Sequence, residues 1–477
     1  MNSAFVDYYR CPESYAPFVP SEASCQGSGY FRFGSDVICY GHCYGGRPAK
    51  RNTDELFEAM KGVTAVENKL LLPFNPSEIA TNLRYERYIS PEDGESISGT
   101  LIQNTYYLVR PLLHVPVRKH LQRLRLRDAQ KIGFPNWPVD RTIERMFERL
   151  MALLLETTVN VKIPFIWFWP NGAPSCTVIT HDIETAKGRD FCSGLMDLDE
   201  AHGISSSFFI IPEDRYRVTP SFLDLLRRRG FEVGVHDLNH DGRLLRGRKR
   251  FLARAERINR YGQEFGASGF RAGGLYHNLD WFSALKFSYD MSVPSVGHLE
   301  AQRGGCCSVM PFFVGDLLEI PVTTTQDYSL FHILNNYSID LWKREIAGII
   351  ENHGLCTFIA HPDYLIAARA QATYRSLLAY LSRLCGEGKT WLARAGEVDE
   401  WWRARNQMKL VPKGDGWEIQ GPQSHKARLA YAVLDDGRLI YQLEPQSKIA
   451  TLSSAEEQLS DISSGRMPQA CVEVTKQ

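Results

Sequence analysis

The chain has 477 residues, of which 44% are hydrophobic and 23% are charged. This length and composition are sufficient for two or three soluble domains with a large core. The 55 basic and 55 acidic residues cancel, which excludes a nucleic-acid binder that depends on overall positive charge. The longest apolar run, from Ile163 to Trp169, is far shorter than the roughly 20 residues of a membrane-spanning helix.

The start of the chain and its cysteines bear on the cellular compartment. Met1 to Tyr8 contain neither the basic segment nor the apolar core of a secretory signal, so the expected location is the cytoplasm, with attachment to the inner membrane surface left open. The 11 scattered cysteines fit reduced, buried thiols in such a compartment. Cys39 and Cys43, with His42 between them, are a candidate second metal site of irregular spacing.

Residues 1–157 are predicted to form an accessory region, mixed α/β or loop-rich at first and helical later. Apolar residues recur at helical spacing over 141–156, which predicts an amphipathic helix. An earlier stretch, 110–131, is strongly basic and also has a helical apolar stripe. Such a helix can make peripheral contact with an anionic membrane surface, or it can be a solvated helix that packs on another domain.

From residue 174 to residue 398, apolar strands alternate with amphipathic helices. Strands are predicted at 175–180, 206–211, 231–236, 268–271, 287–293, 317–323, 356–360 and 390–394, and helices at 189–203, 220–229, 247–265, 279–286, 340–353 and 372–386. This alternation predicts an α/β fold, an irregular (β/α) barrel over 158–408. A small β unit with a turn at Asp436-Gly437 is predicted over 409–450, followed by a disordered polar tail over 451–477.

Polar groups follow two of these strands. Asp182 and Glu184 come after one strand, and His236 and His240 come after another. Alone, a His-x-x-x-His pair is more often two ordinary histidines, and Asp-x-Glu is usually a helix N-cap. Together, at the carboxyl ends of strands in one sheet, the four side chains can hold a divalent ion beside a general base. This combination indicates a metal-assisted hydrolase.

Four segments carry a family resemblance: Thr180 to Glu184, His236 to His240, Gly269 to Gly274, and Ile359 to Asp363. In these segments and their order, the chain resembles the polysaccharide deacetylase family, the NodB-homology enzymes of carbohydrate esterase family 4. The first segment resembles the family's variant in which one residue separates the two acids. The resemblance covers roughly residues 160–400 and implies the barrel already predicted, but it leaves the first 150 residues unexplained.

The resemblance implies a catalytic role for four residues. Asp182 would be the general base for the attacking water, and Arg271 would hold that carboxylate and keep it ionised. His361 would be the general acid that protonates the leaving amine, because an amide ion is a poor leaving group. Asp290 would orient His361.

The resemblance also implies one divalent metal ion bound by Glu184, His236 and His240. Zinc is the first expectation, with cobalt, nickel or manganese as alternatives. The chain departs from the family at three positions, since Glu184 replaces the usual Asp, Gly273 a Pro, and Leu275 a Gly. The last two lie in a segment that supplies a backbone N–H to the oxyanion in the family, so the shape of the substrate cleft is expected to differ.

The implied function is removal of an N-acyl group, in the first instance acetyl, from an amino-sugar glycan or its lipid-linked precursor. One alternative is an amidohydrolase or deformylase acting on a smaller C–N substrate, in some cases without a metal. Another is a catalytically inactive glycan-binding protein that keeps the barrel, although the complete set of site residues argues against it. No nucleic-acid partner is expected. Candidates to stack on sugar rings are Trp281, Trp391, Trp401 and Trp402, although such tryptophans are more often core residues.

Overall fold

The computed structural model describes residues 1–21, 23–89, 132–157 and 161–445. The basic stretch at 110–131 and the predicted tail at 451–477 lie outside the described residues.

In chain order the strands are β1 (Phe18–Pro20), β2 (Cys25–Arg32), β3 (Ile38–Tyr44), β4 (Thr64–Val66), β5 (Lys69–Leu72), β6 (Ile163–Ile166), β7 (Cys176–Ile183), β8 (Ser207–Ile210), β9 (Glu232–His236), β10 (Gly269–Arg271), β11 (Tyr289–Asp290), β12 (Phe312–Val314), β13 (Leu317–Glu319), β14 (Leu355–Ile359), β15 (Trp391–Ala393), β16 (Lys409–Lys413), β17 (Gly416–Gln420), β18 (Leu429–Asp435) and β19 (Arg438–Leu443). The α-helices are α1 (Ser3–Tyr9), α2 (Pro76–Arg84), α3 (Thr142–Thr157), α4 (Ala186–Glu200), α5 (Pro220–Arg228), α6 (Arg248–Phe265), α7 (Asp340–Ile350), α8 (Pro362–Leu365), α9 (Ala368–Gly386) and α10 (Ala395–Gln407).

The centre of the fold is a curled sheet with the strand order β12-β13-β11-β10-β9-β8-β7-β14. Neighbouring strands are parallel except β12 and β13. β15 pairs with the same residues of β7 as β14 does, Cys176 to Val178, and therefore lies at the other edge of β7. Parallel strands joined through helices confirm the predicted irregular (β/α) barrel.

Threonine hydroxyls bridge the gap between β14 and the chain that follows β13. Thr323 donates to the Leu355 carbonyl oxygen at 2.6 Å, and Thr324 donates to the Thr357 carbonyl oxygen at 2.7 Å. The Thr357 N–H in turn donates to the Thr323 hydroxyl at 2.9 Å. Side-chain bonds thus replace a backbone ladder here, which makes the barrel irregular and holds residues 320–325 beside β14.

The helices begin and end where local chemistry predicts. Thr185 and Thr219 are N-caps of α4 and α5, and Gly266, with φ of 54°, ends α6. The helix predicted over 279–286 is a single 3₁₀ turn, Phe282–Ala284, because the buried residues Leu279, Phe282 and Leu285 recur every third position. No helix of the described part of the chain is both long and apolar enough to cross a bilayer.

The N-terminal residues pack across the amino-terminal end of the barrel. Phe5 and Phe147 belong to one continuous buried cluster with Cys176 of β7 and Leu355 of β14. Arg405 of α10 is buried in this contact and donates to the carbonyl oxygens of Tyr8, Ile166 and Trp167 at 2.8, 2.7 and 3.0 Å. The barrel and the N-terminal residues therefore share a core, away from the carboxyl ends of the strands.

Residues 409–443 form two hairpins instead of one β unit. β16 and β17 pair only with each other, whereas β18 pairs with both β19 and β6. The predicted turn joins β18 to β19, and Asp436 and Gly437 have φ of 46° and 75°. Two successive positive φ values are those of a type I′ turn, which matches the twist of the flanking strands.

Candidate active site

The four sequence segments meet at one end of the barrel. Asp182 lies near the carboxyl end of β7, His236 ends β9 and Arg271 ends β10. His361 follows β14 by two residues. Because these strands are parallel, their carboxyl ends lie at the same end of the barrel. The side chains at these ends, and in the segments that follow them, surround a single space.

Asp182 and Arg271 form a buried ion pair. The Arg271 guanidinium donates from Nη1 to Asp182 Oδ1 at 2.6 Å and to the Thr180 hydroxyl at 2.9 Å, and from Nε to the Met291 carbonyl oxygen at 3.0 Å. Burial by itself disfavours a charged carboxylate, but the charges of Arg271, His236 and His361 together outweigh it and lower the pKa of Asp182. The carboxylate is therefore ionised at neutral pH, and its second oxygen lies 3.7 Å from His236 Nε2.

Glu184, His236 and His240 form the one group of three metal-ligand side chains found among the described residues. One ligand atom from each lies within 4.8 Å of the others. Glu184 Oε1 is 3.1 Å from His240 Nε2, and 24% of the Glu184 side chain is exposed. Glu184 therefore marks the open side of the site, while His236 is buried at its base.

The hydrogen bonds of His236 leave its second nitrogen ready for a metal. Its Nδ1–H donates to the Arg271 carbonyl oxygen at 3.1 Å, and burial lowers the pKa of the imidazole. A neutral ring with its proton on Nδ1 has a lone pair on Nε2. Nε2 of His236 is buried without a hydrogen-bond partner, and Nε2 of His240 is buried with the Glu184 carboxylate 3.1 Å away. Two buried imidazole nitrogens beside a carboxylate fit a divalent cation.

Asp363 positions Glu184. Its carboxylate accepts the Glu184 backbone N–H at 3.2 Å and the hydroxyl proton of Thr185, the N-cap of α4. A Cβ on Gly188 would come within 2.3 Å of Asp363 Oδ2, so glycine makes room for this contact. Asp363 belongs to the His361-Pro362-Asp363 segment, and the sequence analysis did not assign it a role.

Asp327, and not Asp290, orients His361. Asp327 Oδ1 accepts from His361 Nδ1 at 2.6 Å, and its Oδ2 accepts from the His361 backbone N–H at 2.7 Å. Burial opposes protonation of the ring, but the Asp327 carboxylate, with Glu184 and Asp182, raises the pKa of His361 to about 10. His361 Nε2 then carries a proton 3.8 Å from Glu184 Oε1, as a general acid at this site requires.

The prediction that Asp290 orients His361 is wrong because its carboxylate is engaged elsewhere. It accepts from the hydroxyl of Ser292 at 2.7 Å and from the backbone N–H of the same residue at 3.0 Å. The Ser292 hydroxyl oxygen in turn accepts the Ala272 N–H at 2.8 Å, just after Arg271. Burial raises the pKa of Asp290 and of the adjacent Glu319. Asp290 thus supports the backbone of the arginine segment.

Gly273 and Leu275, the two departures within the arginine segment, have separate explanations. A Cβ on Gly273 would come within 2.7 Å of Asp237 Oδ2 and 2.8 Å of His240 Cδ2, so a proline here would collide with a candidate metal ligand. Leu275 adopts φ of 54° although it is not glycine, and its side chain is buried against Val322 and Ile359. Burial of this apolar side chain offsets a backbone strain of about 1–3 kcal/mol.

The Gly273→Ala variant is therefore expected to bind a divalent ion about tenfold more weakly, because the new methyl group displaces the His240 ring. The measurement is titration of the metal-free protein with Zn²⁺ by calorimetry. Gly348→Ala is the matched control, because a Cβ there meets nothing within 4 Å, and its affinity should equal that of the wild type. Unchanged affinity in Gly273→Ala would show that His240 is not confined by this glycine.

Several aromatic side chains that were not predicted to belong to the site lie near His361. The Tyr364 ring centroid lies 4.9 Å from that of His361, 4.9 Å from that of His332 and 5.6 Å from that of Tyr328. Trp401 and Trp402 are instead buried in the core, Trp281 packs on Phe251, and Trp391 lies at the start of β15. The four tryptophans proposed for sugar stacking therefore take part in the packing of the fold.

Cys39 and Cys43 do not form a second metal group of three or more ligands within the described residues. Both are buried on one face of β3, and burial raises the pKa of the Cys39 thiol. A protonated thiol is a poor metal ligand, since the thiolate is the form that coordinates.

No protein-family model matches the chain, and no curated protein matches it in sequence. Among solved structures, the chain is similar to a protein described as a polysaccharide deacetylase from Mycobacterium smegmatis, with 18% identity and a TM-score of 0.42, over 51% of this chain and 96% of the other. It is similar to the PuuE allantoinase with 12% identity and a TM-score of 0.36, over 49% and 92% of the two chains. It is also similar to a peptidoglycan deacetylase from Bacillus subtilis with 13% identity and a TM-score of 0.31, over 47% and 90%. At these levels the similarity assigns neither a substrate nor a metal to this chain.

Proposed function

We propose that the protein is a metal-dependent hydrolase that removes an N-acetyl group from an amino-sugar glycan or its lipid-linked precursor. The observation that carries this proposal is the placement of an ionised acid, Asp182, and a protonated histidine, His361, around the Glu184, His236 and His240 group. Amide hydrolysis needs a base for water, an acid for the amine and a polarised carbonyl, and these residues can supply all three.

The metal belongs to Glu184, His236 and His240. The buried Nε2 atoms of the two histidines lie beside the carboxylates of Asp182 and Glu184, at 3.7 and 3.1 Å, where a cation can join them. Two imidazoles and one carboxylate leave coordination positions open, and zinc suits this donor set. When bound, a divalent ion would polarise the acetyl carbonyl and lower the pKa of water at the site.

The protein's own groups move the protons. Asp182 accepts the proton of the attacking water through the oxygen that Arg271 leaves free, and Arg271 keeps the carboxylate charged beforehand. His361 gives its Nε2 proton to the amide nitrogen as the C–N bond breaks, so that the sugar leaves as a neutral amine. Asp327 holds the ring in the orientation that aims Nε2 at the site and stabilises its positive charge.

Replacement of Asp327 by Asn is expected to shift the pH dependence of the reaction. The carboxylate raises the pKa of His361 to about 10, so its loss lowers that pKa towards the ordinary value near 6.5. Because the acid must be protonated, the alkaline limb of the kcat/KM profile should move to lower pH, and activity at pH 8 should fall by about 10- to 100-fold.

The matched control is Asp290→Asn, which removes a buried carboxylate that does not contact His361. This variant should keep the alkaline limb of the wild type, whatever its effect on stability. An identical shift in both variants would contradict the assignment of Asp327 as the orienting residue.

Acetate release tests the function directly. The full chain, loaded with Zn²⁺, is incubated with N-acetylglucosamine oligosaccharides and N-acetylated lipid-linked saccharides, and acetate and new primary amine are quantified. Equal amounts of both products, absent after chelation and restored by Zn²⁺, would support the proposal. Hydrolysis only of small cyclic amides or formamides, or activity that survives chelation, would favour an amidohydrolase or deformylase instead.

A further inference from the structure

A group of exposed cations lies next to the metal-ligand loop. We name it the basic rim, and it consists of Arg215, Arg217, Arg243, Arg248, Lys249 and Arg250. All six residues are exposed, and within the described part of the chain none forms an ion pair with a carboxylate. In a protein whose net charge is zero, this is a strong local excess of positive charge.

The neighbouring acids do not neutralise the basic rim, because other side chains already engage them. Asp241 pairs with Arg254 at 2.7 Å, and Glu213 pairs with Arg257 at 2.5 Å. Asp214 accepts a hydrogen bond from Asn239 at 3.0 Å. The cations of the rim therefore face solvent, and the three acids nearby compensate only part of their charge.

The basic rim borders the candidate active site. Arg243 is three residues beyond His240, and the Arg215 guanidinium donates to the His240 carbonyl oxygen at 2.6 Å and to the Asn239 carbonyl oxygen at 3.1 Å. Two loops at the carboxyl edge of the sheet, after β8 and after β9, thus bring Arg215 and Arg243 beside a residue that faces the reaction centre.

Helix stability does not explain these charges. Arg248, Lys249 and Arg250 occupy the first turn of α6, which contains no acidic residue. The amino end of a helix is its positive end, so each cation there destabilises the helix. An anionic ligand would offset this cost, whereas solvent exposure alone would be served equally well by uncharged polar residues.

We propose that the basic rim recruits an anionic glycan, one that carries phosphate or carboxylate groups close to the N-acetylated sugar. This inference rests on the proposed function and narrows its substrate class. A membrane surface is a poorer partner, because the apolar residues Phe251, Ala255 and Ile258 of α6 are buried in the core and Leu252 is the one large apolar residue of this helix that is exposed. A helix that lies on a bilayer needs a broad exposed apolar face.

The test compares two triple variants of the full-length, Zn²⁺-loaded protein. The first is Arg248→Gln, Lys249→Gln, Arg250→Gln. The matched control is Lys409→Gln, Lys426→Gln, Arg438→Gln, which removes three exposed cations from the C-terminal hairpins. Both carry Asp182→Asn so that probes are not consumed. Binding is measured by calorimetry to chitotetraose, which is neutral, to a heparosan tetrasaccharide, which carries carboxylates, and to UDP-N-acetylglucosamine, which carries phosphates.

The first variant is expected to bind at least one anionic probe about tenfold more weakly than the control, with less than about twofold change for chitotetraose. The anionic probe whose binding weakens shows whether the rim recognises phosphate or carboxylate groups. The melting temperature should stay the same or rise, since cations leave the positive end of α6. Raised ionic strength should abolish the difference between the two variants.

Two results would overturn the proposal. They are equal weakening for all three probes and no weakening for either anionic probe. Because binding is measured without turnover, failure to release acetate would refute the proposed function while a charge-dependent loss of binding would still support the rim.

Discussion

Alanine at both His236 and His240 is expected to remove the metal from the protein. The two buried Nε2 atoms are the proposed imidazole donors of the site, and Glu184 alone, 24% exposed, cannot hold a zinc ion against water. Affinity for Zn²⁺ should fall by more than about 100-fold, and acetate release should fall by about 1000-fold or more. Elemental analysis of the purified proteins and calorimetric titration with Zn²⁺ measure the first effect directly.

The matched control changes two histidines that do not face the site. His202 donates to the Leu198 carbonyl oxygen at the end of α4, and His425 is exposed, so His202→Ala, His425→Ala should keep about one equivalent of metal. One equivalent retained by the His236→Ala, His240→Ala variant would show that the ion binds elsewhere. No ion in the wild type, even after reconstitution, would remove the metal from the proposed mechanism.

Replacement of Asp182 by Asn is expected to stop the reaction while the metal stays bound. The amide has the size of the carboxylate but cannot accept the water proton, so kcat should fall by about 1000-fold. The same change leaves the Arg271 guanidinium buried without its carboxylate, which should destabilise the fold by about 3–5 kcal/mol. Single-turnover acetate release, zinc content and thermal unfolding measure the three effects.

Glu184→Gln provides the contrast for Asp182→Asn. Glu184 is a proposed ligand, so its amide variant should lose metal affinity, and excess Zn²⁺ should restore part of its activity. Asp182→Asn should retain the metal and gain nothing from added Zn²⁺. Equal metal loss in both variants would mean that Asp182 is a ligand and would require a different general base.

Much of the site could be predicted from short segments of sequence. Asp182, Glu184, His236 and His240 follow apolar runs that form β7 and β9, and parallel strands place their carboxyl ends together. Arg271 and His361 were predicted through the family resemblance, and the structure brings both to the same space. The supporting acid was not predictable in this way, because Asp290 and Asp327 both lie far from His361 in the chain and neither has a distinguishing local pattern.

The barrel and the strand ends that carry the chemistry follow from the order of residues, because alternating apolar strands and amphipathic helices can bury their faces only as a parallel sheet covered by helices. The choice of interaction partners depends instead on the folded chain. The threonine bridge between β14 and residues 323–324, the choice of Asp327 for His361, and the space that Gly273 leaves for His240 all depend on contacts between residues more than 30 positions apart. Such contacts are set by how the whole core packs, and packing is not encoded in any local pattern of residues.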